Sequence, residues 1–291
     1  MKVQHFFDPD TFTLTYVVHD EKSKDALIID PVLDFDLSSG FIQDKQVLAL
    51  VDYVKKNELN VHLIMETHVH ADHLSGANLL KHYFPQAKSV IGSRIKTVQE
   101  TFQNFFNLSG FKTDGSQFDI LANDFDELNA GTIKIKVIPT PGHTPACVSY
   151  LIGDAVFTGD ALFMPDSGTG RCDFPKGSAG ELYHSIHNQL YRLPDETRVF
   201  VGHDYQPDGR ELRFETTIGE SKKSNIQLKN ETTLANYVLF REARDKTLKA
   251  PKLLLPSLQI NMAAGKLPLE DFNGIIYLKL PIKTSLQEGS L

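Results

Sequence analysis

The feature that most constrains this chain is a run of four ionisable side chains within six residues, His68-Val69-His70-Ala71-Asp72-His73. The run follows an apolar stretch of strand length, residues 61–65, and precedes a stretch with helical periodicity, residues 75–84. Three imidazoles packed this closely would crowd positive charge at mildly acidic pH with nothing to offset it. Neutral imidazoles and carboxylates are the usual protein ligands of zinc, iron and manganese. The run therefore predicts a metal site in a loop between a strand and a helix.

Three further polar residues also follow predicted strands. His143 comes after the alternating segment 132–138, Asp160 after residues 155–158, and His203 after residues 199–201. Taken singly, each of them is typical of a turn or of a partly buried surface position. An α/β sheet presents its site at the ends of its strands, so we expect all three to join the histidine cluster.

The remaining pattern predicts one large α/β unit. A hairpin is indicated by β-rich runs at 13–18 and 26–29, and helices by the periodicity from residue 45 and at 97–108, 182–193 and 233–246. A tail punctuated by prolines runs on to Leu291. With 291 residues, of which 41% are hydrophobic and 23% charged, the chain has the material for a sizeable core.

Charge and composition exclude several classes of protein. A net charge of −7 argues against a nucleic-acid partner held by phosphate contacts. The apolar runs fall far short of the ~20 residues that span a bilayer, and the first ten residues lack a signal-like pattern, so we expect a cytoplasmic protein without a membrane anchor. The only two cysteines, Cys147 and Cys172, do not suggest a disulfide framework or a catalytic thiol.

Five segments of this chain resemble the ordered motifs of the metallo-β-lactamase superfamily: residues 67–73, 140–145, 159–162, 170–174 and 202–205. Within that superfamily they are most similar to the persulfide dioxygenases, the sulfur dioxygenase branch close to glyoxalase II. Glyoxalase II more typically has Glu before the tyrosine that matches Tyr205, and Cys where this chain has Thr169. The resemblance implies a four-layered αββα sandwich. Residues 1–205 would form its catalytic core, and residues 206–291 a helical and extended segment that completes the domain.

The resemblance also implies a reaction and a ligand set. A single Fe(II) would be bound by His68, His143 and Asp160, a triad that leaves coordination positions open for two reactants. The enzyme would oxidise glutathione persulfide with O2 to sulfite and glutathione. The remaining members of the cluster would hydrogen-bond to the ligands or to bound water; they are His70, Asp72, His73 and His203. A homodimer and a separate sulfurtransferase partner are expected on the same basis.

The same seven residues leave two other interpretations open. A binuclear thioester hydrolase of the glyoxalase II type would place His68, His70 and His143 on one ion. It would place Asp72, His73 and His203 on the other, with Asp160 bridging the two. A non-catalytic metal-binding protein is the third interpretation. It is disfavoured because a purely structural site is normally closed by its ligands. The segments flanking the seven residues favour the dioxygenase.

Four further residues are candidates for substrate contacts. Tyr205 could face the open coordination positions, or simply pack against its neighbours. Arg171 could contact a substrate carboxylate, or fix the loop beside the metal through Asp173. Arg241 and Arg244 could bind the carboxylates of glutathione, or lie on a solvated helix face.

Overall fold

Two six-stranded sheets and one three-stranded sheet make up the β-structure of the computed structural model, which describes residues 1–282. In chain order the strands are β1 (Lys2–Asp8), β2 (Thr13–His19), β3 (Asp25–Ile29), β4 (Val32–Asp36), β5 (Phe41–Gln43), β6 (Asn60–Met65), β7 (Leu74–Ser75), β8 (Lys88–Gly92), β9 (Ile120–Ala122), β10 (Glu127–Ala130), β11 (Ile133–Pro139), β12 (Val148–Ile152), β13 (Ala155–Phe157), β14 (Arg198–Phe200) and β15 (Glu215–Thr217). The first large sheet has the order β1-β2-β3-β6-β8-β9, and the second runs in chain order from β10 to β15. The small sheet has the order β5-β4-β7.

Helices cover the outer faces of the two large sheets. They are α1 (Lys45–Lys56), α2 (Ala77–Tyr83), α3 (Ile95–Phe105), α4 (Ala179–Asn188), α5 (Ile218–Ser224), α6 (Leu234–Asp245) and α7 (Leu254–Asn261). Helices α1 and α2 bury Leu50 and Leu80 in one apolar cluster with Val17 of β2 and Ile28 of β3. Helix α4 adds Leu182 to the apolar cluster of the second sheet, and α6 packs on α4. The order helix, sheet, sheet, helix confirms the αββα sandwich.

The central core lies between the two sheets, and strand β2 shows how the sequence builds it. Leu14, Tyr16 and Val18 belong to this core together with residues of the second sheet, whereas Val17 joins the cluster under α1 and α2. Successive side chains of a strand point to opposite faces of its sheet, so a strand covered on both sides is buried at both sets of positions. That is why all seven residues of β2 are buried.

Strand direction brings the site residues to one edge. Strands β3, β6, β8 and β9 run parallel, so β6 delivers the His68–His73 loop at the carboxyl end of the first sheet. In the second sheet β13 and β14 are parallel, with α4 in the connection between them. Their carboxyl ends therefore lie side by side.

Most of the elements expected from the sequence are present. The N-terminal hairpin is β2 and β3, paired antiparallel, and the periodicity from residue 45 is α1. The helix expected at 97–108 begins slightly earlier, at Ile95, and ends at Phe105. The short edge strands β5, β9 and β15 carried no clear signal in the sequence.

The segment beyond residue 205 contributes to both halves of the sandwich. Strand β15 pairs with β14 at the sheet edge, α6 packs on α4, and α7 packs on β7. The end of the expected proline-punctuated tail, residues 283–291, lies outside the described residues. Across residues 1–282, no helix combines the length and apolar character needed to cross a bilayer.

Candidate metal centre

Four loops at the carboxyl ends of strands meet at one point between the sheets. The loop after β6 carries His68 to His73, and those after β11, β13 and β14 carry His143, Asp160 and His203. Backbone hydrogen bonds join neighbouring loops: the amide of Gly202, in the loop after β14, donates to the carbonyl oxygen of Gly159, in the loop after β13, at 3.2 Å. The fold thus brings these residues together, as the sequence predicted.

The loops after β6 and β13 approach each other so closely that one position requires glycine. Gly159 has a φ of 48°, and a Cβ at this position would lie 2.4 Å from the hydroxyl oxygen of Thr67. A side chain here would collide with the residue that orients His68, and the left-handed backbone would be strained as well.

His68, His143 and Asp160 form a compact group of potential ligands. One ligand atom from each lies within 4.8 Å of the others, and all three residues are buried. The Nε2 atom of His143 is 3.5 Å from Oδ2 of Asp160, and Nε2 of His68 is 3.9 Å from the same oxygen. Two imidazoles and one carboxylate therefore face a common centre.

The opposite ring nitrogens fix the orientation of both imidazoles. The Nδ1 atom of His143 donates to the carbonyl oxygen of Arg171 at 2.6 Å. The hydroxyl of Thr67 donates to Asp30 at 2.8 Å and so accepts from Nδ1 of His68 at 3.0 Å. With the proton on Nδ1 in each ring, the Nε2 lone pairs point towards Asp160, which is the tautomer that a metal ligand needs.

A second group contains His70, Asp72 and His73, whose ligand atoms again lie within 4.8 Å of one another. The Nδ1 atom of His73 lies 3.3 Å from the hydroxyl of Thr13. His203 connects the two groups, because its Nε2 atom is 3.3 Å from both Asp72 Oδ2 and Asp160 Oδ1. All seven predicted residues are therefore in one site.

Two buried carboxylates, Asp30 and Glu66, complete the site and were missed in the sequence. They lie 3.0 Å and 3.2 Å from Nε2 of His70. Each directly follows a buried apolar strand, β3 or β6, and that was the signal available in the sequence. His70 is thus clamped by two acids on one ring nitrogen.

The electrostatics differ sharply between the two histidines of the His68-Val69-His70 run. Burial, reinforced by the neighbouring imidazoles of His70 and His143, holds the pKa of His68 well below its usual range. Burial also opposes the charge of His70, but the carboxylates of Asp30 and Glu66 raise the pKa of His70 well above its usual range. The surroundings thus favour the neutral form of His68, which can offer a lone pair, and the protonated form of His70.

Unpartnered buried atoms test whether this site fits a metal ion. Within residues 1–282, eleven buried side-chain polar atoms lack a hydrogen-bond partner, and five of them lie at this site: His68 Nε2, His70 Nδ1, His73 Nε2, Asp160 Oδ1 and Glu66 Oε2. Leaving a buried polar atom unpaired costs about 1–3 kcal/mol. A cation bound between the imidazole nitrogens and the carboxylate would satisfy His68 and Asp160 directly, so the donor set fits a metal.

A cavity of about 410 Å³ opens onto the first group. Its walls include His143 and Asp160 as well as all four of the predicted substrate-contact residues, Tyr205, Arg171, Arg241 and Arg244. The ring of Tyr205 stacks on that of His203 with a centroid distance of 5.4 Å, and 49% of Tyr205 remains exposed. Lys249 also lines this cavity, although nothing in the sequence singled it out.

The three arginines of this cavity differ in what they are free to bind. The guanidinium of Arg171 makes two hydrogen bonds to Asp173, both of 2.6 Å, and one to the Lys249 carbonyl oxygen. Arg241 is 1% exposed and is paired with Asp245 at 2.6 Å. Arg244 is exposed, and no side-chain bond engages it within the part of the chain that the structure describes. Of the three, Arg244 is the guanidinium available to a ligand.

Asn261, the last residue of α7, supports the histidine loop from behind. Its amide nitrogen donates to the carbonyl oxygens of His70 and His73 at 2.8 Å and 2.7 Å. Its amide oxygen accepts from the backbone of Ser75 at 2.7 Å. These contacts join residues that are 186 to 191 positions apart, and no local sequence pattern indicated them.

Two sheets between layers of helices, with histidines and aspartates gathered at their common edge, define the class of metal-binding αββα sandwiches. Comparison with known families narrows this class: residues 8–203 match the model of the metallo-beta-lactamase superfamily. The chain belongs to the metallo-β-lactamase superfamily.

Individual relatives carry several names. The chain is 47% identical over 283 residues to a Dictyostelium discoideum protein named Glyoxylase B2, with 97% of each chain covered. It is 33% identical over 205 residues to the human protein named Persulfide dioxygenase ETHE1, mitochondrial, covering 70% of this chain and 68% of that one. The crystal structure of ETHE1 from Myxococcus xanthus superposes with a TM-score of 0.74 at 33% identity, covering 91% of this chain and 100% of the other.

Some bacterial relatives are longer than this chain. It is 48% identical to a protein of Agrobacterium fabrum named Beta-lactamase hydrolase-like protein. The match covers 99% of this chain but 66% of that protein.

Proposed function

We propose that this protein is a glutathione-dependent persulfide dioxygenase with a single Fe(II) held by His68, His143 and Asp160. The observation that carries the proposal is the convergence of two imidazole nitrogens and one carboxylate within 4.8 Å beside an open cavity. Two histidines and one carboxylate on one face of an ion are the ligand set of the non-haem iron oxygenases, because it leaves positions free for substrate and dioxygen. The relatives named persulfide dioxygenase, at 33% identity, support the assignment.

The proposed reaction balances without a further cofactor. The outer sulfur of glutathione persulfide gives four electrons to one O2, the S–S bond breaks, and water supplies the third oxygen of sulfite. The products are glutathione, sulfite and protons. The bound iron would supply the binding and activation of dioxygen that a closed-shell organic substrate cannot provide.

The residues of the chain position the reactants. His143 and His68 are kept in one tautomer by Arg171 and Thr67, so their ligand nitrogens do not exchange protons with the substrate. At the cavity mouth Arg244 and Lys249 offer positive charge to the two carboxylates of glutathione. Arg241 lies in the same wall with its charge already paired, and it positions the loop that contains Thr169 through a hydrogen bond of 3.1 Å.

Tyr205 is proposed to face the substrate sulfur. Its ring is held between Phe163 and His203, at centroid distances of 5.9 Å and 5.4 Å, yet half of its surface opens into the cavity. An aromatic wall at this position excludes water from the reacting sulfur on that side.

The wider setting is also part of the proposal. We place the enzyme in the cytoplasm as a homodimer, supplied with persulfide by a separate sulfurtransferase. A sulfurtransferase is the class of enzyme whose product, sulfane sulfur carried on a thiol, is the substrate proposed here.

A binuclear thioester hydrolase is the second candidate, and a specific observation favours it. The group of His70, Asp72 and His73 places three further ligand atoms within 4.8 Å of one another, as a second ion would require. Names such as Glyoxylase B2 are given to relatives at higher identity than the dioxygenases. Asp30 and Glu66 hold Nε2 of His70 and leave its Nδ1 without a partner, so this ring could also offer a nitrogen to a second ion.

Product analysis separates the two reactions. Protein purified anaerobically and loaded with Fe(II) is mixed with glutathione persulfide, and O2, sulfite and glutathione are measured. We expect equal amounts of O2 consumed and sulfite formed, and loss of both in Asp160→Ala. Hydrolysis of a glutathione thioester without O2 uptake would replace the dioxygenase with the hydrolase.

A further inference from the structure

A second cavity, of about 980 Å³, lies apart from the metal centre and shares none of its lining residues. It is bordered by α2, by the chain after α3 and by the chain after α7. Apolar side chains, among them Leu108, Phe111 and Leu267, form part of its wall. Because four lysines also line it, we call it the lysine cavity: Lys81, Lys112, Lys266 and Lys279.

The charge of the lysine cavity is incompletely balanced. Its described lining contains no acidic side chain. Lys81 pairs with Asp119, and the ammonium of Lys279 donates to the carbonyl oxygen of Asn107. Lys112 and Lys266 form no ion pair with any residue between 1 and 282, so an acidic and apolar partner would fit this cavity.

The chain segment that leaves the rim of the lysine cavity has the complementary character. This C-terminal loop, residues 268–277, begins in the cavity wall with Pro268 and Leu269. Its far end is anchored by Lys279, whose backbone exchanges hydrogen bonds of 2.9 Å and 3.0 Å with Gln259. Between these points a turn closes with a 2.9 Å bond from the amide of Asp271 to the carbonyl oxygen of Ile275.

Large apolar side chains of the C-terminal loop stand in solvent. Leu269 is 89% exposed and Phe272 is 99% exposed, with Ile275 at 52% and Tyr277 at 55%. Four side chains of this size expose on the order of 600 Å², at the upper end of what a monomeric protein normally tolerates in one patch. Glu270 and Asp271 stand beside them, so the loop presents acids and apolar groups together.

We propose that the C-terminal loop of one copy of this chain seats in the lysine cavity of a second copy, and reciprocally. One molecule carries both halves of the contact side by side, the loop starting at the rim of the cavity, as a two-fold symmetric interface requires. Each copy would bury its loop and its cavity wall, which together approach the roughly 800 Å² per partner of a stable interface. Glu270 and Asp271 would then meet Lys112 and Lys266.

The first test is the oligomeric state of the full-length protein by sedimentation velocity. We expect the native protein to be a dimer. In Phe272→Asp the dissociation constant of the dimer should rise by at least on the order of 100-fold, since a charge replaces a central apolar anchor. The matched control is Leu239→Asp on α6, where a leucine is 73% exposed outside both cavities; it is expected to remain dimeric. Circular dichroism and metal content should be unchanged in both variants.

The second test uses charge reversal to show that loop and cavity meet. The loop variant Glu270→Lys/Asp271→Lys and the cavity variant Lys112→Glu/Lys266→Glu should each be monomeric alone. Mixed together, they should form a heterodimer, because both contacts then regain opposite charges. A monomeric native protein, a dimer insensitive to Phe272→Asp, or a mixture that does not associate would each overturn the proposal.

Discussion

The side-chain amide of Asn261 donates a 2.7 Å hydrogen bond to the backbone carbonyl oxygen of His73, although 188 positions of sequence separate them. Asn261 is 4% exposed and also bonds to His70 and Ser75, so one side chain at the end of α7 holds both ends of the histidine loop. Residues far beyond the family-matched segment 8–203 thus set the geometry of the metal centre.

Replacement of Asn261 by alanine should loosen this loop. The change removes the side-chain amide that donates to two backbone carbonyl oxygens and accepts from one backbone N–H. Each of these three buried backbone groups costs about 1–3 kcal/mol if it is left unpaired. We expect metal affinity to fall by about 10- to 100-fold, together with a lower melting temperature of the metal-free protein. Asn188→Ala, at the exposed end of α4, is the control and should change neither quantity. If metal affinity in Asn261→Ala were unaltered, the hydrogen bonds of Asn261 would have no role in holding the metal ligands in place.

Substitution of His203 should separate the two metal stoichiometries. If iron is bound by His68, His143 and Asp160 alone, the His203→Ala variant should retain about one iron per chain. Its activity should fall by roughly 10- to 100-fold, because the substitution removes the imidazole beside the Asp160 carboxylate. His143→Ala, by contrast, should lose the iron. Elemental analysis of both variants gives the answer, and the disappearance of a second metal equivalent in His203→Ala would indicate a binuclear site.

The two arginines of α6 should respond in opposite ways to truncation. Arg241→Ala leaves the Asp245 carboxylate buried without its partner and should lower the free energy of unfolding by about 3–5 kcal/mol. Arg244→Ala should leave stability unchanged and raise KM for glutathione persulfide by about 10-fold, with kcat little altered. Urea unfolding and steady-state kinetics measure the two effects. An unchanged KM in Arg244→Ala would place the glutathione carboxylates elsewhere.

The thiols of the two cysteines should be unreactive in the folded protein. Burial raises the pKa of the Cys147 thiol to about 12, and burial likewise raises the pKa of the Cys172 thiol. At pH 8 a thiol with a pKa near 12 is ionised in about one molecule in ten thousand, too few to act as a nucleophile. Iodoacetamide should therefore label neither cysteine until the protein is unfolded, and Cys147→Ala should retain persulfide oxidation. Rapid labelling of the native protein would contradict this.

The sequence was most informative where local pattern and chemistry coincide. His68, His143, Asp160 and His203 each follow an apolar strand, and strand ends in this fold share one edge, so their convergence could be predicted. Asp30 and Glu66 occupy the same kind of position, but neither lies in one of the five segments that resemble the family's motifs.

Other features depend on contacts that no window of sequence contains. Asn261 acquires its role only when α7 packs on β7. Helix α7 contains Pro256 in its first turn, where the missing N–H has no helical partner to lose. The pairing of Arg241 with Asp245 and its burial likewise come from the packing of α6.

The central claim is a single iron that serves persulfide oxidation, and titration of the metal-free protein with Fe(II) tests it most directly. O2 uptake with glutathione persulfide and cleavage of a glutathione thioester are followed in parallel as metal is added. We expect O2 uptake to rise linearly and saturate at one equivalent per chain, with no thioester cleavage. Saturation at two equivalents, with thioester cleavage and no O2 uptake, would contradict the claim and make the seven clustered residues the binuclear site of a hydrolase.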